Sequence, residues 1–445
     1  MSDRALPKVL IIGQNFTSTT GGGITLSNLF KDWPKEKLAL VAESKEALDF
    51  TKCSNYYRMG YAEMKMPFPF NLFQRRTQGG LLTEAITIGA VEIKKTIGWK
   101  KRLKGIVDEM LNYSGLYFLA YGQERLSREL LAWIKEFDPD VVYFQPGSYK
   151  QFNFIQHLKE NMGAPLVSHV MDDWFSFAVK PGPLYHYWNR KLQKKILDLF
   201  SITQLHLSIS DLMATEFESR YGHKFYAYHN PIDMAFWGAY AKKDIHDRSS
   251  FEILYAGRVG YGIDKTLQKV SDAVEQLGQT RQDVTLEIQT ADQDHPMFKR
   301  FSKYKFVRVT KPIDYAALPG KFADADALLI PYDFEGSGLK YIKYSMPTKV
   351  SEYMASGTPV LVVGPEDTAL LRYAQQGWAS VCTKSDIASI SEAILKLKNS
   401  IQLRKSISAK AKEFAFSNHD QRVTVNRFRN QILAILKKPI VNLSV

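Results

Sequence analysis

In two stretches of the chain, glycines stand ahead of a helical pattern with charged residues close by. In the stretch from Asp333 to Gly364, the run Glu335-Gly336-Ser337-Gly338-Leu339 precedes Thr348, Lys349 and Glu352. Glycines ahead of a helix leave backbone N–H groups open, and the helix dipole turns its positive end toward them, which suits a phosphate. Glu352 would lie one turn inside such a helix, with its side chain leaning back toward the N-terminus. There its carboxylate can accept hydrogen bonds from sugar hydroxyls. It could instead serve only the helix dipole, paired with Lys349 three residues earlier. The second cluster is Gly257-Arg258, with glycines at 260 and 262 before another helical pattern. It reads as another phosphate cradle.

The elements around these clusters follow a strand–helix rhythm. Thr348 or Ser345 is expected to cap the helix that Gly357 ends, and Val360 to Val363 reads as a strand buried on both faces. Near the start, Lys8 to Gly13 is a strand. A loop from Gln14 to Gly23, containing Gly21-Gly22-Gly23, then leads into a helix near Ile24 to Phe30. That is a Rossmann-like entrance, but the glycines do not match G-x-G-x-x-G and no acid supports NAD. The rhythm loosens from Thr51 to Gly122, then returns with strands at Val141 to Phe144, Leu166 to Met171 and Leu205 to Ile209. Functional side chains in open α/β sheets gather at the carboxyl ends of strands, so His169, Asp172 and Asp173 are candidates. A lone strand histidine is more often a satisfied core residue. Three D-x-D pairs, Asp138/Asp140, Asp292/Asp294 and Asp324/Asp326, fall before strands or in a turn, and no metal is assigned to them.

The run Pro347-Thr348-Lys349-x-x-Glu352-Tyr353-Met354-Ala355-x-Gly357-x-Pro359-Val360 resembles the donor-site motif of retaining, GT-B-fold glycosyltransferases of family 4. It is closest to the branch with P-[ST]-K and E-Y-M-A-S-G. Further matches lie in S-x-S-D, R-Y-G and H-N-P-x-D between Ser208 and Asp233. The resemblance implies two Rossmann-like domains facing across a cleft, with C-terminal helices crossing back to the N-terminal domain. It implies residues 1–233 as the acceptor side, 234–250 as linker, 251–420 as the nucleotide-sugar domain and 421–445 as the returning helix. By the same resemblance Glu352 contacts the nucleotide ribose, and Arg258 holds the donor diphosphate with Lys265 or Lys349. A guanidinium fork suits a diphosphate. The family's first glutamate would stand at Tyr344, so Glu335 is the candidate for the sugar, beside Gly338 and Leu339. Gly22 and Gly23 would help form the pocket, and the acceptor would lie against residues 14–23 and 172–174, with Asp172 as a catalytic candidate. The implied reaction moves a sugar, with retention and without metal or cofactor, from a nucleoside diphosphate sugar to a saccharide or lipid-linked acceptor. A sugar-nucleotide epimerase of the same fold and a non-catalytic anion- or membrane-binding module are the alternatives.

The totals set the frame. At 445 residues the chain suits two domains. Two distant cysteines, Cys53 and Cys382, suggest no disulfide framework and a reducing compartment. The charged start MSDRALPK has no secretory pattern, and no apolar run is long enough to span a bilayer. The expected location is cytoplasmic, with a peripheral place on the inner membrane face. The net charge of +13 asks for an anionic partner. Between Arg58 and Lys104 ten bases meet three acids, with Phe68, Phe70, Phe73 and Trp99 among them. That composition suits an anionic membrane surface or a solvated helical pair. None of the nucleic-acid motifs appears, so no nucleic acid is expected.

Overall fold

The computed structural model describes residues 6–17, 20–42, 48–68, 70–74, 76–82, 98–115, 123–242, 244–246, 249–280, 283–296, 298–301 and 303–437. The chain divides into two compact units. One comprises Met1–Ile209, Ala214–Tyr228 and Val425–Val445, the other Ser210–Met213 and His229–Thr424. Part of the basic segment, including Arg75, Lys94 and Lys95, lies outside the described residues.

The first unit is built on strands β1 (Val9–Ile12), β2 (Leu38–Ala42), β3 (Asn55–Arg58) and β4 (Gly80–Leu82), followed by β5 (Val141–Phe144), β6 (Leu166–Val170), β7 (Leu205–Ser208) and β8 (Phe225–Ala227). Their order is β4-β3-β2-β1-β5-β6-β7-β8, parallel except for β3 with β4. Helices α1 (Gly21–Leu29), α2 (Gly98–Ser114), α3 (Arg128–Phe137), α4 (Gln151–Met162), α5 (Tyr185–Ser201) and α6 (Asp211–Tyr221) accompany them. Central strands buried throughout are what a parallel sheet covered on both faces requires. The sequence pattern does not announce β3 and β4.

The second unit contains α7 (Met234–Ala239), β9 (Phe251–Ala256), α8 (Asp264–Gln279), β10 (Val284–Gln289), α9 (Phe298–Phe301), β11 (Val307–Thr310), α10 (Leu318–Asp324) and β12 (Ala327–Pro331). It continues with α11 (Ser337–Ile342), α12 (Lys349–Ser356), β13 (Val360–Val363), α13 (Ala369–Ala374), β14 (Ser380–Cys382), α14 (Ile387–Asn399) and α15 (Ile401–Phe414), and α16 (Gln421–Leu436) starts in it and belongs to the first unit from Val425 onward. The sheet order is β11-β10-β9-β12-β13-β14, with every pair parallel. The strand order reverses direction between β1 and β5 in the first unit and between β9 and β12 in the second. Open α/β sheets bind ligands at such switch points.

The end of the chain contributes to the first core. Phe428 and Ile432 of α16 are fully buried there, with Phe428 set edge-on to Phe30 and Tyr143. Each such burial is worth roughly 1.5–3 kcal/mol. The D-x-D aspartates brace strand ends. Asp140 accepts the N–H of Lys8 at 2.7 Å, Asp326 that of Glu252 at 2.9 Å and Asp292 that of Val259 at 2.8 Å. Both cysteines are free and buried. Among the described residues no helix is long and apolar enough to cross a membrane.

Candidate functional site

In the second unit, α12 is fastened to the end of β9 by Tyr353. Its hydroxyl accepts the N–H of Ala256 at 3.0 Å and lies 3.4 Å from the same residue's carbonyl oxygen. This anchor puts Lys349, the first residue of α12, beside Gly257 and Tyr255. The Lys349 Nζ lies 4.2 Å from the centroid of the Tyr255 ring, a cation–π contact. A Cβ at position 257 would stand 2.2 Å from that nitrogen, so glycine is what admits the ammonium. Lys349 as a whole is half-buried, but its charged end is enclosed. Burial, with Arg258 nearby, lowers its pKa to about 7, against the pull of Glu352.

Glu352 is one turn further along, 8% exposed, and Tyr315 donates its hydroxyl to Oε1 at 3.4 Å. Burial raises its pKa to about 7, offset in part by Tyr315 and Lys349. The expected caps are absent. Thr348 is already helical in backbone conformation, so its hydroxyl does not cap, and Ser345 Oγ donates to the Tyr341 carbonyl at 3.2 Å. The carbonyl of Thr348 accepts from Ser351 and Asn230 at 3.1 and 3.3 Å. The N-terminus of α12 therefore has no side-chain cap, and its dipole faces the Lys349 end.

The other helix start differs. Ile263 stands at the N-cap of α8 and has no side-chain oxygen to offer. Asp333, just past β12, supplies one by accepting the Thr266 N–H at 2.8 Å, while its own N–H donates to Gly262 at 2.9 Å. Asp333 is 3% exposed, and burial with the neighbouring Asp264 carboxyl pushes its pKa up to about 6. The phosphate cradle expected at glycines 260 and 262 is thus partly filled by the protein's own carboxyl group, because an uncapped buried N–H must find an acceptor.

Arg258 is exposed at the end of β9 and donates through Nη1 to the Tyr261 carbonyl at 3.2 Å. Lys265 and Glu335, read from the sequence as separate contacts, face each other with Nζ 3.8 Å from Oε1. Glu335 is 81% exposed in its side chain, so this pair is weak. Gly338 presses on Gly262, where a Cβ would meet the backbone nitrogen at 2.6 Å, and Leu339 is half-buried in α11. The loop after β9 and the first turn of α11 therefore touch through bare glycines. Arg258, Lys349 and Glu352 belong to one neighbourhood, while Lys265, Glu335 and Gly338 lie at the adjoining starts of α8 and α11.

In the first unit, Gly22 and Gly23 are not loop residues. They form the first turn of α1, which begins at Gly21 because Thr20 is extended and its hydroxyl takes the Gly23 N–H at 3.2 Å. Gly13, at a φ of +83°, ends β1 where a Cβ would meet the Gln145 carbonyl oxygen at 2.3 Å. Asp172 is half-buried just past β6. Its neighbour Asp173 is buried and tied to Ser176 Oγ at 2.6 Å and Arg220 Nη1 at 2.9 Å, a structural pairing. His169 sits in the core, 2.6 Å from the Tyr143 hydroxyl, and burial lowers its pKa to about 3. Among the described residues no three His, Cys, Asp or Glu side chains gather as a metal site. Tyr255, Tyr315, Tyr353 and Asp333 were not singled out from sequence. The one local signal was Tyr353, in the quoted motif itself.

Residues 250–400 match the protein family described as glycosyl transferases group 1. No curated protein matches the chain. Among solved structures, sucrose-phosphate synthase from Thermosynechococcus elongatus is similar at a TM-score of 0.61 and 9% identity, over 96% of this chain and 99% of that one. HepE from Anabaena, in complex with UDP and glucose, is similar at 0.59 and 13% identity, over 96% of this chain and all of that one. A Listeria monocytogenes protein described as a UDP-N-acetylglucosamine 2-epimerase is similar at 0.52 and 14% identity, over 98% of each. With two parallel-sheet Rossmann-like units and these neighbours, the chain has the GT-B fold.

Proposed function

We propose that the protein is a glycosyltransferase that takes a sugar from a nucleoside diphosphate sugar and places it, with retention, on a hydroxyl of a saccharide or lipid-linked acceptor. The observation that carries this reading is the uncapped N-terminus of α12, with the enclosed Lys349 ammonium at it, Arg258 beside it and Glu352 one turn inside. A departing diphosphate gains negative charge as the sugar leaves, and fixed positive charge at that point lowers the barrier. Arg258 and Lys349 supply it, with Lys265 at the rim. Glu352 receives the ribose hydroxyls, Glu335 is offered to the sugar, and Asp172 remains the acceptor-side candidate. The matched family over residues 250–400 and the UDP-bound HepE structure support the choice of a nucleotide sugar as donor.

Incubating the protein with UDP- and GDP-sugars and a panel of saccharide and lipid-linked acceptors tests this. Release of nucleoside diphosphate with a new α-glycosidic bond from an α-linked donor is the expected result. Conversion of the donor to its epimer without an acceptor would replace the reading with the alternative of the same fold. Failure of every nucleotide to bind would sink it.

A further inference from the structure

Tyr315 lies in the 3-10 turn Tyr315–Ala317 after β11, a connection to which the sequence assigns no role. Three contacts fix its ring. It lies nearly parallel to the Phe236 ring and offset from it, with centroids 5.7 Å apart and 9° between planes. Trp237 meets it edge-on at 6.0 Å, and its hydroxyl donates to Glu352. The support has no slack behind it, because Trp237 is fully buried and stacks on Phe322, which packs against Tyr353. The enclosed part of Tyr315 is its hydroxyl end, yet the residue as a whole is 52% exposed. A flat ring is thus fixed by Phe236, Trp237 and its own hydroxyl while about half of the residue meets solvent, beside the carboxylate assigned to the sugar hydroxyls of the nucleotide.

We propose that Tyr315 is the stacking platform for the nucleobase of the donor. The inference rests on reading Glu352 as the ribose partner. In a nucleoside the base is the immediate neighbour of the ribose, and Tyr315 is hydrogen-bonded to the carboxylate that would hold that ribose. Every base has a π-face, so a rigid aromatic ring binds it whatever its edge, and pre-orientation by Phe236 and Trp237 spares the cost of ordering the ring on binding.

Calorimetric titration of the wild type, Tyr315→Ala, Tyr315→Phe and Arg258→Ala with UDP, GDP and inorganic pyrophosphate tests this. Tyr315→Ala should weaken the nucleoside diphosphate that binds the wild type by about ten- to a hundredfold, and leave pyrophosphate within about twofold. Tyr315→Phe keeps the ring and should stay within a few-fold. If Tyr315 acted only by holding Glu352 through its hydroxyl, Tyr315→Phe would lose as much as Tyr315→Ala, and the platform would be overturned. Arg258→Ala should weaken nucleotide and pyrophosphate alike. A loss in Arg258→Ala with none in a folded Tyr315→Ala would keep the donor site and remove Tyr315 from it. No nucleotide binding by the wild type would remove both.

Discussion

Asp333 caps a helix it does not belong to, accepting the backbone N–H of Thr266 at 2.8 Å across 67 residues of sequence. The consequence reaches the neighbouring site. With a carboxyl group already on the α8 N-terminus, a diphosphate there would meet negative charge, whereas α12 offers an uncapped N-terminus and Lys349. The two helix starts are therefore unequal, and the asymmetry favours α12 for the phosphates.

Removing that cap gives the first prediction. Asp333→Ala should cost about 0.5–2 kcal/mol of stability, as lost caps do. Asp333→Asn keeps an acceptor for Thr266 and sheds the charge. The folded pKa of Asp333 is raised to about 6, so the stability it contributes is present at low pH and lost as pH rises through about 6. Asp333→Asn should therefore gain on the wild type above pH 6 and not below pH 4. A melting-temperature difference that is the same at both ends would exclude this linkage.

Lys349 carries the opposite sign. Its folded pKa is lowered to about 7, so its contribution is intact at high pH and lost as pH falls through about 7. Lys349→Met should be more stable than the wild type at pH 6, with the gain shrinking toward pH 10. The gain should be a few degrees, since roughly 1 kcal/mol moves the melting temperature of a domain this size by about 2–4 °C. Donor affinity should fall in the same variant. A variant that is less stable at pH 6 would mean the ammonium is paired in a way the geometry does not show.

Gly257 and Lys349 should behave as a coupled pair. A methyl group at 257 would stand 2.2 Å from Nζ and displace it. Gly257→Ala should then weaken donor binding, and the loss should largely vanish in a Lys349→Met background. A double-mutant cycle that adds simply would show that the alanine acts through backbone strain instead.

How much of this was legible in the chain depends on the range of the interaction. Buried apolar runs such as Val360–Val363 announce central parallel strands, because both faces must be covered. The short strand Asn55–Arg58 and the edge strand Gly80–Leu82 beside it carry no such pattern. The glycines at 21–23 look like a loop because glycine is a poor helix former, yet the Thr20 cap starts the helix at Gly21. Motif spacing singles out Arg258, Lys349 and Glu352, and the folded chain brings the three near one another. Asp333 on Thr266 and Tyr315 on Glu352 were not, because each joins residues at least 37 apart by a contact that only the folded sheet creates.

The basic segment yields a separate prediction. On α2, Ile106, Met110 and Tyr113 are all exposed at spacings of four and three, a stripe along one helical face. The sequence at the start of that helix reads GWKKRLKG. We expect the protein to sediment with anionic liposomes and to be released by salt. Replacing Lys100, Lys101 and Arg102 with glutamate should weaken sedimentation without changing the melting temperature. Equal binding to neutral and anionic vesicles would leave a solvated helix and nothing more.

The sharpest contrast lies between Arg258 and Glu352. Each is proposed to make charge-assisted hydrogen bonds to the donor nucleotide, worth roughly 1.5–3 kcal/mol, so each alanine variant should bind it about ten- to a hundredfold more weakly. The kinetic signatures should differ. Arg258 stands where charge grows as the sugar departs, so Arg258→Ala should lower kcat as well as affinity. Glu352 meets the ribose equally in the ground and transition states, so Glu352→Ala should mainly raise the donor KM. Glu352→Gln removes the charge but keeps a hydrogen-bonding oxygen, and should fall between the wild type and Glu352→Ala. The pH profile adds a check. With the Glu352 pKa raised to about 7, donor KM in the wild type should worsen as pH falls below 7, and Glu352→Gln should flatten that limb. A folded Arg258→Ala with unchanged donor KM and kcat would place the diphosphate somewhere other than the end of β9.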